Sequence, residues 1–203
     1  MSWTKEEMAQ RVAELFPKNV SVNLGIGLPS MVASFIKEED GIMIHSENGV
    51  LGVSGKPKEE EVSPTLINAG KQTITIKAGA SFFDSALSFG MIRGGHIDYC
   101  VLGAMEVDAE GNLANWMIPG KKVTGMGGAM DLVNGAKNVV IMMSHFTKTG
   151  EAKLLKKTNL PLTGMKCVHE IITELGHFRP NGESFDIIKL APEVTEKDCA
   201  LPN

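Results

Sequence analysis

The sequence predicts one α/β domain built around a mostly parallel sheet. Amphipathic helical segments alternate with short apolar segments along the chain, which is the pattern of strand–helix–strand units. The first unit is an apolar strand followed by Gly25-Ile26-Gly27-Leu28-Pro29, a tight turn into a helix. Neither a composition break nor an internal repeat divides the chain. We therefore expect a single domain over residues 1–203, with functional loops at the strand ends.

Capping residues and apolar stripes mark the predicted helices. Thr4-Lys5-Glu6-Glu7 is a capping box, and Pro29 suits the first turn of a second helix. Ser81-Phe82-Phe83-Asp84 has the spacing of another capping box. Thr163 is predicted to cap a last helix, whose apolar stripe ends before the stop signal Gly176. The stripe consists of Val168, Ile171, Ile172 and Leu175.

Short apolar runs rich in β-branched residues mark the predicted strands. They lie at residues 20–24, 42–44, 73–76, 97–102, 138–143 and 186–190. Residues 103–116 are expected to form a hairpin that turns at Glu110-Gly111-Asn112. The loop at residues 52–64, rich in Gly, Pro, Glu and Lys, is long enough to cover a site.

Composition excludes several classes of function. The net charge of −4 and the isoelectric point near 5.8 provide no basic face for nucleic acid or for a membrane surface. No apolar run of about 18 residues predicts a membrane span, and the polar N-terminus does not resemble a signal peptide. The three cysteines are widely spaced and form no Cys-x-x-Cys pair. This pattern predicts a reduced, cytoplasmic protein without a zinc site.

Glu47 is a lone carboxylate at the end of a predicted strand. It lies in Ile44-His45-Ser46-Glu47-Asn48-Gly49, a loop segment without Lys or Arg. A glutamate that follows a strand is usually a surface residue. Here the flanking chain is small, polar and then apolar, so we expect the side chain to be partly removed from water. Partial desolvation makes a carboxylate more reactive as a nucleophile or a base.

Glycine-rich turns at residues 25–29 and 125–132 supply possible partners for this carboxylate. Free backbone N–H groups at a helix start bind anions, although such glycines serve equally well for close backbone packing. The sequence contains no metal-ligand cluster, Walker loop or Gly-x-Ser-x-Gly motif. The incomplete glycine fingerprint also disfavours an NAD-dependent dehydrogenase. A carboxylate nucleophile with oxyanion donors fits acyl transfer through an anhydride or a glutamyl thioester.

The octapeptide His45-Ser46-Glu47-Asn48-Gly49-Val50-Leu51-Gly52 resembles the Ser-Glu-Asn-Gly signature in the B (β) subunit of family I coenzyme A transferases. Other segments resemble the family in the same order. These segments are residues 23–29, 88–96, 112–121, 125–132 and 160–163. The resemblance covers about residues 11–174 and implies a three-layer α/β/α domain around a mixed sheet.

The same resemblance implies a ping-pong mechanism. Glu47 would attack the acyl-CoA and then carry CoA as a glutamyl thioester, while the backbone N–H of Gly128 would stabilise the oxyanion. Five further residues would shape the nucleophile loop or let the backbone approach CoA. They are Asn48, Gly49, Gly25, Gly27 and Gly127. Coenzyme A and acyl-CoA would be substrates, and no resident cofactor or metal is implied.

The family's two-subunit members place the active site where two different chains, of the A type and the B type, meet. We therefore expect an A-type CoA-transferase subunit to be the partner, in an A2B2 or larger assembly that acts on short-chain acids. Succinyl-CoA and a 3-oxoacid such as acetoacetate are the expected substrates. A butyrate- or acetate-acetoacetate transferase, a 3-oxoadipate transferase and a non-catalytic CoA-binding module are the alternatives. The end of the chain, from Pro192 onward, departs from the family pattern.

Overall fold

A nine-stranded mixed sheet runs through the protein, whose computed structural model describes residues 1–123 and 125–202. Smaller two- and three-stranded sheets flank it. The strands are β1 (Ser21–Leu24), β2 (Met43–Ser46), β3 (Val50–Val53), β4 (Ile76–Phe82), β5 (Tyr99–Leu102), β6 (Glu106–Asp108), β7 (Leu113–Ala114), β8 (Met117–Ile118), β9 (Lys122–Val123), β10 (Asn138–Met142), β11 (Leu154–Leu155), β12 (Glu170–Ile172), β13 (Gly176–Pro180) and β14 (Phe185–Leu190).

The helices are short. Three are α-helical: α1 (Lys5–Ala13), α2 (Ser85–Arg93) and α3 (Ala129–Gly135). The 3-10 helices of the described residues lie at Leu28–Phe35, Glu38–Asp40, Glu59–Glu61 and Glu196–Cys199. No helix of the described part of the chain has the length and apolar character needed to cross a bilayer.

The parallel part of the large sheet is its centre. The strand order is β14-β13-β12-β10-β5-β1-β2-β3-β4. Neighbouring strands from β12 to β2 pair in parallel. The two outer strands on each side pair antiparallel. The predicted α/β fold is therefore confirmed, and parallel pairing within the large sheet is restricted to its five central strands.

Helices cover both faces of the sheet. Strand β10 shows the two faces, because successive side chains of a strand point to opposite sides. Val140 and Met142 pack in a cluster that includes residues of α1 and of the 3-10 helix Leu28–Phe35. Val139 and Ile141 pack on the other side in a cluster that includes residues of α2 and α3. The layers are thus helix, sheet and helix.

The first two α-helices begin at side-chain caps. Thr4 and Glu7 form the predicted capping box, with Thr4 N donating to Glu7 Oε2 over 2.7 Å. Asp84 caps α2 by accepting a hydrogen bond of 2.8 Å from Leu87 N. The box predicted to start at Ser81 is wrong, because Ser81 still belongs to β4 and pairs with β3. The helix was predicted correctly, and its cap lies three residues later.

The predicted helix after Thr163 is also wrong. The segment instead forms β12 and leads through a turn into β13. Ile171 and Ile172 have helical spacing within the apolar stripe, but they pack on opposite faces of the sheet. Thr163 does not cap a helix, since its Oγ1 donates to Asn115 Oδ1 over 2.6 Å. A strand that is buried on both faces of a sheet has apolar residues at adjacent positions. The apolar stripe of a helix, with its period of 3.6 residues, also contains adjacent apolar positions, so the two patterns look alike.

The parallel centre sets the position of the candidate site. The carboxyl ends of parallel strands lie at one edge of the sheet, where ligands of such folds bind. Gly25 follows β1 and Glu47 follows β2. Gly103 follows β5, and β10 ends shortly before Ser144. The structure therefore places the first predicted glycine turn and the predicted nucleophile at the same edge.

Candidate active site

A tight turn between β2 and β3 presents Glu47. Gly49 N donates to Ser46 O over 3.0 Å, which closes the turn. Gly49 has a φ of +117°, and a Cβ at this position would lie 2.0 Å from Phe83 O. Only glycine fits such a close backbone approach. Gly49 therefore allows the close approach of this turn to Phe83, and its role in a nucleophile loop stays a prediction.

Asn23 holds the Glu47 carboxylate. Its Nδ2 donates to Glu47 Oε2 over 3.1 Å, and the asparagine is only 1% exposed. Asn23 lies in β1, whose register places it beside His45 of the parallel strand β2. Glu47 itself is partly buried, as expected from its position. The carboxylate is thus held in place by a side chain of the neighbouring strand.

His45 extends this contact into the interior. Its Nδ1 lies 3.2 Å from Asn23 Nδ2, and its Nε2 lies 3.1 Å from Ser88 Oγ of α2. The imidazole stacks on Phe83, with ring centroids 6.1 Å apart. Burial lowers the pKa of His45, and the charge of Glu47 opposes this effect. A chain of buried polar groups therefore runs behind the carboxylate.

Sequence reasoning missed Asn23 and His45 as site residues. Both are buried polar side chains on central strands, where apolar residues are the rule. A buried polar group needs hydrogen-bond partners, so each is expected to serve a specific contact. The polar position of Asn23, between the apolar Val22 and Leu24, was the available signal.

The second glycine turn lies next to Glu47. Gly128 is buried and precedes α3 directly. A Cβ added at Gly128 would lie 3.4 Å from Glu47 Cγ and equally close to the ring of Phe89. The tertiary structure therefore brings together the predicted nucleophile and the predicted oxyanion donor, although they are distant in sequence.

The remaining predicted residues have different surroundings. Gly25 lines the recess beside Glu47. Gly27 and Gly127 are exposed, have φ values of +85° and +50°, and have open space where a Cβ would lie. Asn48 is exposed, and its Nδ2 donates to Ile67 O over 2.8 Å. This hydrogen bond connects the turn at Glu47 to the loop between β3 and β4. Of these four, only Gly25 lies against the recess.

The recess at Glu47 is narrow. Its volume is about 20 Å³, enough for about one water molecule. Its lining residues are Leu24, Gly25, Ile26, Ser30, Ser46, Glu47, Asn68, Ala69, Gly70 and Gln72. Such a volume cannot enclose a thioester.

A far larger cavity, of about 1140 Å³, lies next to the ends of β5 and β10. Several cationic and hydroxyl side chains line it. They include Lys121, Ser144, Thr147, Lys148, Thr149 and Lys153. Burial lowers the pKa of Lys153 to about 8, and Glu174 opposes this effect. Among the described residues, no group of three or more His, Cys, Asp or Glu side chains has the arrangement of a metal site.

Comparison with known proteins identifies the class of the chain. The family model of coenzyme A transferases matches residues 5–196. The chain therefore belongs to the coenzyme A transferase family. Its relatives are named as B or beta subunits of CoA-transferases, so the chain is a CoA-transferase of the B type. These names also imply a partner of the A type.

Two curated relatives are similar over most of their length. The B subunit of the probable succinyl-CoA:3-ketoacid coenzyme A transferase of Bacillus subtilis (strain 168) is 54% identical over 178 residues, which are 88% of this chain and 82% of the relative. The beta subunit of the acetate CoA-transferase of Escherichia coli (strain K12) is 51% identical over 175 residues, which are 86% of this chain and 80% of the relative.

A solved structure supports the fold. The acyl-CoA transferase YdiF apoenzyme from Escherichia coli O157:H7 superposes with a TM-score of 0.77 at 18% sequence identity. The match covers 96% of this chain but only 39% of that chain. The chain thus spans about two fifths of the length of that transferase.

Proposed function

We propose that Glu47 is the nucleophile of a CoA transfer between succinyl-CoA and a 3-oxoacid such as acetoacetate. The observation that carries the proposal is the position of Glu47 at the carboxyl edge of the parallel strands. There Asn23 Nδ2 holds one carboxylate oxygen, and a Cβ built at Gly128 would lie 3.4 Å from Glu47 Cγ. This arrangement presents a fixed carboxylate to an incoming thioester.

The reaction balances without a metal ion or a proton relay. A Glu47 oxygen attacks the thioester carbonyl, the C–S bond breaks, and the CoA thiolate leaves an acyl-glutamyl anhydride. The thiolate then attacks the glutamyl carbonyl, the anhydride C–O bond breaks, and the first acid leaves as a carboxylate. The second acid reverses both steps and departs as the new acyl-CoA, so that Glu47 is regenerated.

Gly128 is proposed to stabilise the oxyanion that forms in each addition step. Backbone N–H groups at the start of a helix are suitable donors, because they are fixed and lack an intrahelical partner. The short distance between the Gly128 position and Glu47 Cγ supports this role. Removing an oxyanion donor typically costs a factor of about 10² to 10³ in turnover.

The A-type partner is proposed to complete the site in an A2B2 assembly. The narrow recess at Glu47 supports this idea, because it cannot enclose a substrate by itself. The remaining walls and oxyanion donors would then come from that partner. The three free cysteines are consistent with a proposed location in the cytoplasm, where thiols stay reduced.

Trapping of the covalent intermediate tests the mechanism. The A·B complex is incubated with succinyl-CoA, treated with hydroxylamine or borohydride, and digested for peptide mapping. We expect the modification on Glu47, and we expect Glu47→Gln to lose both the adduct and the transfer activity. Glu183→Gln is the matched control, since Glu183 is an exposed residue in the turn between β13 and β14. Modification of another residue, or full activity of Glu47→Gln, would exclude the mechanism. If neither the wild-type complex nor the Glu47→Gln complex transferred CoA, the chain would be only a CoA-binding module.

Acetate is the second candidate class of substrate, because the beta subunit of the acetate CoA-transferase is almost as similar as the 3-ketoacid relative. Values of kcat/KM for the A·B complex decide between them. The donors are succinyl-CoA and acetyl-CoA, and the acceptors are acetoacetate, acetate, butyrate and 3-oxoadipate. We expect the highest value for succinyl-CoA with acetoacetate. A higher value for any other pair would reassign the substrate and leave the role of Glu47 intact.

A further inference from the structure

One amide nitrogen behind the carboxylate has three acceptors around it. Asn23 Nδ2 lies 3.1 Å from Glu47 Oε2, 3.2 Å from His45 Nδ1 and 3.4 Å from His45 O. A carboxylate oxygen and a carbonyl oxygen only accept hydrogen bonds. Because two of the three neighbours are pure acceptors, the NH2 group of Asn23 has to face them. His45 Nδ1 then presents its lone pair to the same nitrogen.

The other side of the imidazole agrees with this assignment. With Nδ1 as acceptor, the neutral ring carries its proton on Nε2, which donates to Ser88 Oγ over 3.1 Å. Both His45 and Ser88 are almost completely buried. Asn23 of β1, Ser88 of α2 and the stacked Phe83 are uncharged. Among the described residues, Glu47 is the charged group that acts on the ring.

The oxygen of the Asn23 amide reveals the cost of this orientation. Asn23 Oδ1 is buried and has no hydrogen-bond partner among the described residues. A buried acceptor without a partner lowers the stability of the folded state. A rotated amide would relieve that cost only if Oδ1 found a donor, and neutral His45 offers none at Nδ1. His45 and Glu47 therefore hold the amide in its observed orientation together.

We propose that His45 is a positioning residue for CoA transfer: its unprotonated Nδ1 keeps the Asn23 amide turned so that Nδ2 holds the Glu47 carboxylate. A proton on Nδ1 would face the NH2 group of Asn23. The amide would then rotate and direct Oδ1 at both the imidazolium and the carboxylate. Asn23 Nδ2 therefore cannot donate to Glu47 while Nδ1 of His45 carries a proton. The inference rests on the proposed nucleophilic role of Glu47.

The pH profile of transfer tests the proposal. For the wild-type A·B complex, kcat is expected to fall as the pH drops through the pKa of His45, which burial holds below the ordinary imidazole value of 6.5, and to fall by about tenfold per unit once His45 is protonated. In His45→Gln, an amide that accepts from Asn23 and does not titrate replaces the ring. We expect this variant to lose the acid limb and to keep kcat at pH 8 within about threefold. An unchanged acid limb in His45→Gln overturns the proposal.

A second variant separates positioning from substrate binding. His45→Phe keeps the aromatic stack on Phe83 but offers no acceptor to Asn23. We expect kcat at pH 8 to be about tenfold below that of the wild type and to lack the acid limb, with the KM for acyl-CoA within about twofold, because the substrate does not touch this ring. An unchanged kcat contradicts the proposal. If His45→Phe does not fold, the pH profile of kcat in His45→Gln still tests the positioning role.

Two readouts distinguish this proposal from that for Glu47. NMR of the complex labelled with 15N-histidine reports the tautomer of His45 without any turnover. We expect a neutral ring with the proton on Nε2, and a proton on Nδ1 at pH 8 overturns the positioning role. The trapped adduct on Glu47 tests the nucleophile separately. An adduct with identical pH profiles in wild type and His45→Gln refutes the role of His45 alone, whereas the absence of an adduct refutes the proposed mechanism.

Discussion

Two buried histidines at the same edge of the sheet serve two different regions of the molecule. His45 is 1% exposed behind the candidate nucleophile, and His145 is fully buried beyond β10. His145 Nε2 donates to Cys199 O over 2.7 Å, and its Nδ1 lies 3.0 Å from Thr173 Oγ1. Burial lowers the pKa of both rings. The two residues thus share burial and charge state, yet only His45 connects to Glu47.

The difference lies in the partners. The His45 ring contacts side chains, and one of them, Asn23, donates a hydrogen bond to the partly exposed carboxylate of Glu47. His145 contacts the hydroxyl of Thr173 and the backbone of the last 3-10 helix, and it packs between Phe146 and Phe178, with ring centroids 4.9 and 5.2 Å away. A side-chain network can transmit a change in protonation to a reactive group, whereas a backbone anchor stabilises the fold. Burial alone does not indicate a functional histidine.

Among variants that keep Glu47, the largest expected effect is at Gly128. Valine at this position is compatible with the φ of −83°, but its Cβ would already lie 3.4 Å from Glu47 Cγ and from the Phe89 ring, so that its methyl groups would press on them. We expect transfer to fall by about 10² to 10³, since displacement of a catalytic group by 1 Å costs about 10²-fold. The measurement is kcat of the A·B complex together with the urea midpoint. A large loss of stability with intact turnover would place this position in the fold rather than in the site.

His145→Ala is expected to have the opposite pattern. It removes two buried hydrogen bonds and the packing against two aromatic rings, so we expect a loss of about 2–4 kcal/mol in the free energy of unfolding. Turnover per folded complex should stay within about twofold. Urea denaturation and active-site titration measure the two quantities. A drop in turnover without a drop in stability would remove the contrast between the two histidines.

Asn23→Ala has a smaller expected effect. It deletes one hydrogen bond to the carboxylate, and bonds to charged groups contribute about 1.5–3 kcal/mol. We expect kcat to fall about 10- to 100-fold, while the KM for acyl-CoA changes little. The rate of adduct formation on Glu47, followed by rapid quenching, measures this step. An unchanged rate would show that the carboxylate is held by other groups.

The smallest expected effect is a loss of stability in mild acid. Both histidines have pKa values below 6.5 in the folded protein, so the unfolded chain takes up protons first as the pH falls. Their contribution to stability is complete above pH 6.5 and decreases below it. We expect a lower urea midpoint at pH 5.5 than at pH 7.5. In His45→Gln/His145→Gln the difference should shrink, and an equal difference would assign it to other groups.

The errors of sequence-based prediction have a common physical cause. The stripe of Val168, Ile171, Ile172 and Leu175 fits a helix, but the structure places Ile171 and Ile172 on opposite faces of the sheet. Ser81 has the spacing of a helix cap, but pairing with β3 keeps it in a strand. In both cases strand pairing with distant residues overrides a local pattern.

The sequence by itself determined the α/β class and the loop that carries Glu47. These features depend on neighbouring residues, whose capping and turn chemistry is local. Only the tertiary structure decided that Gly128 lies beside Glu47 and that Asn23 and His45 stand behind it. The parallel strands β1 and β2 contribute Asn23 and His45, and the turn before α3 contributes Gly128. Their contacts therefore depend on the register between β1 and β2, which no local pattern encodes.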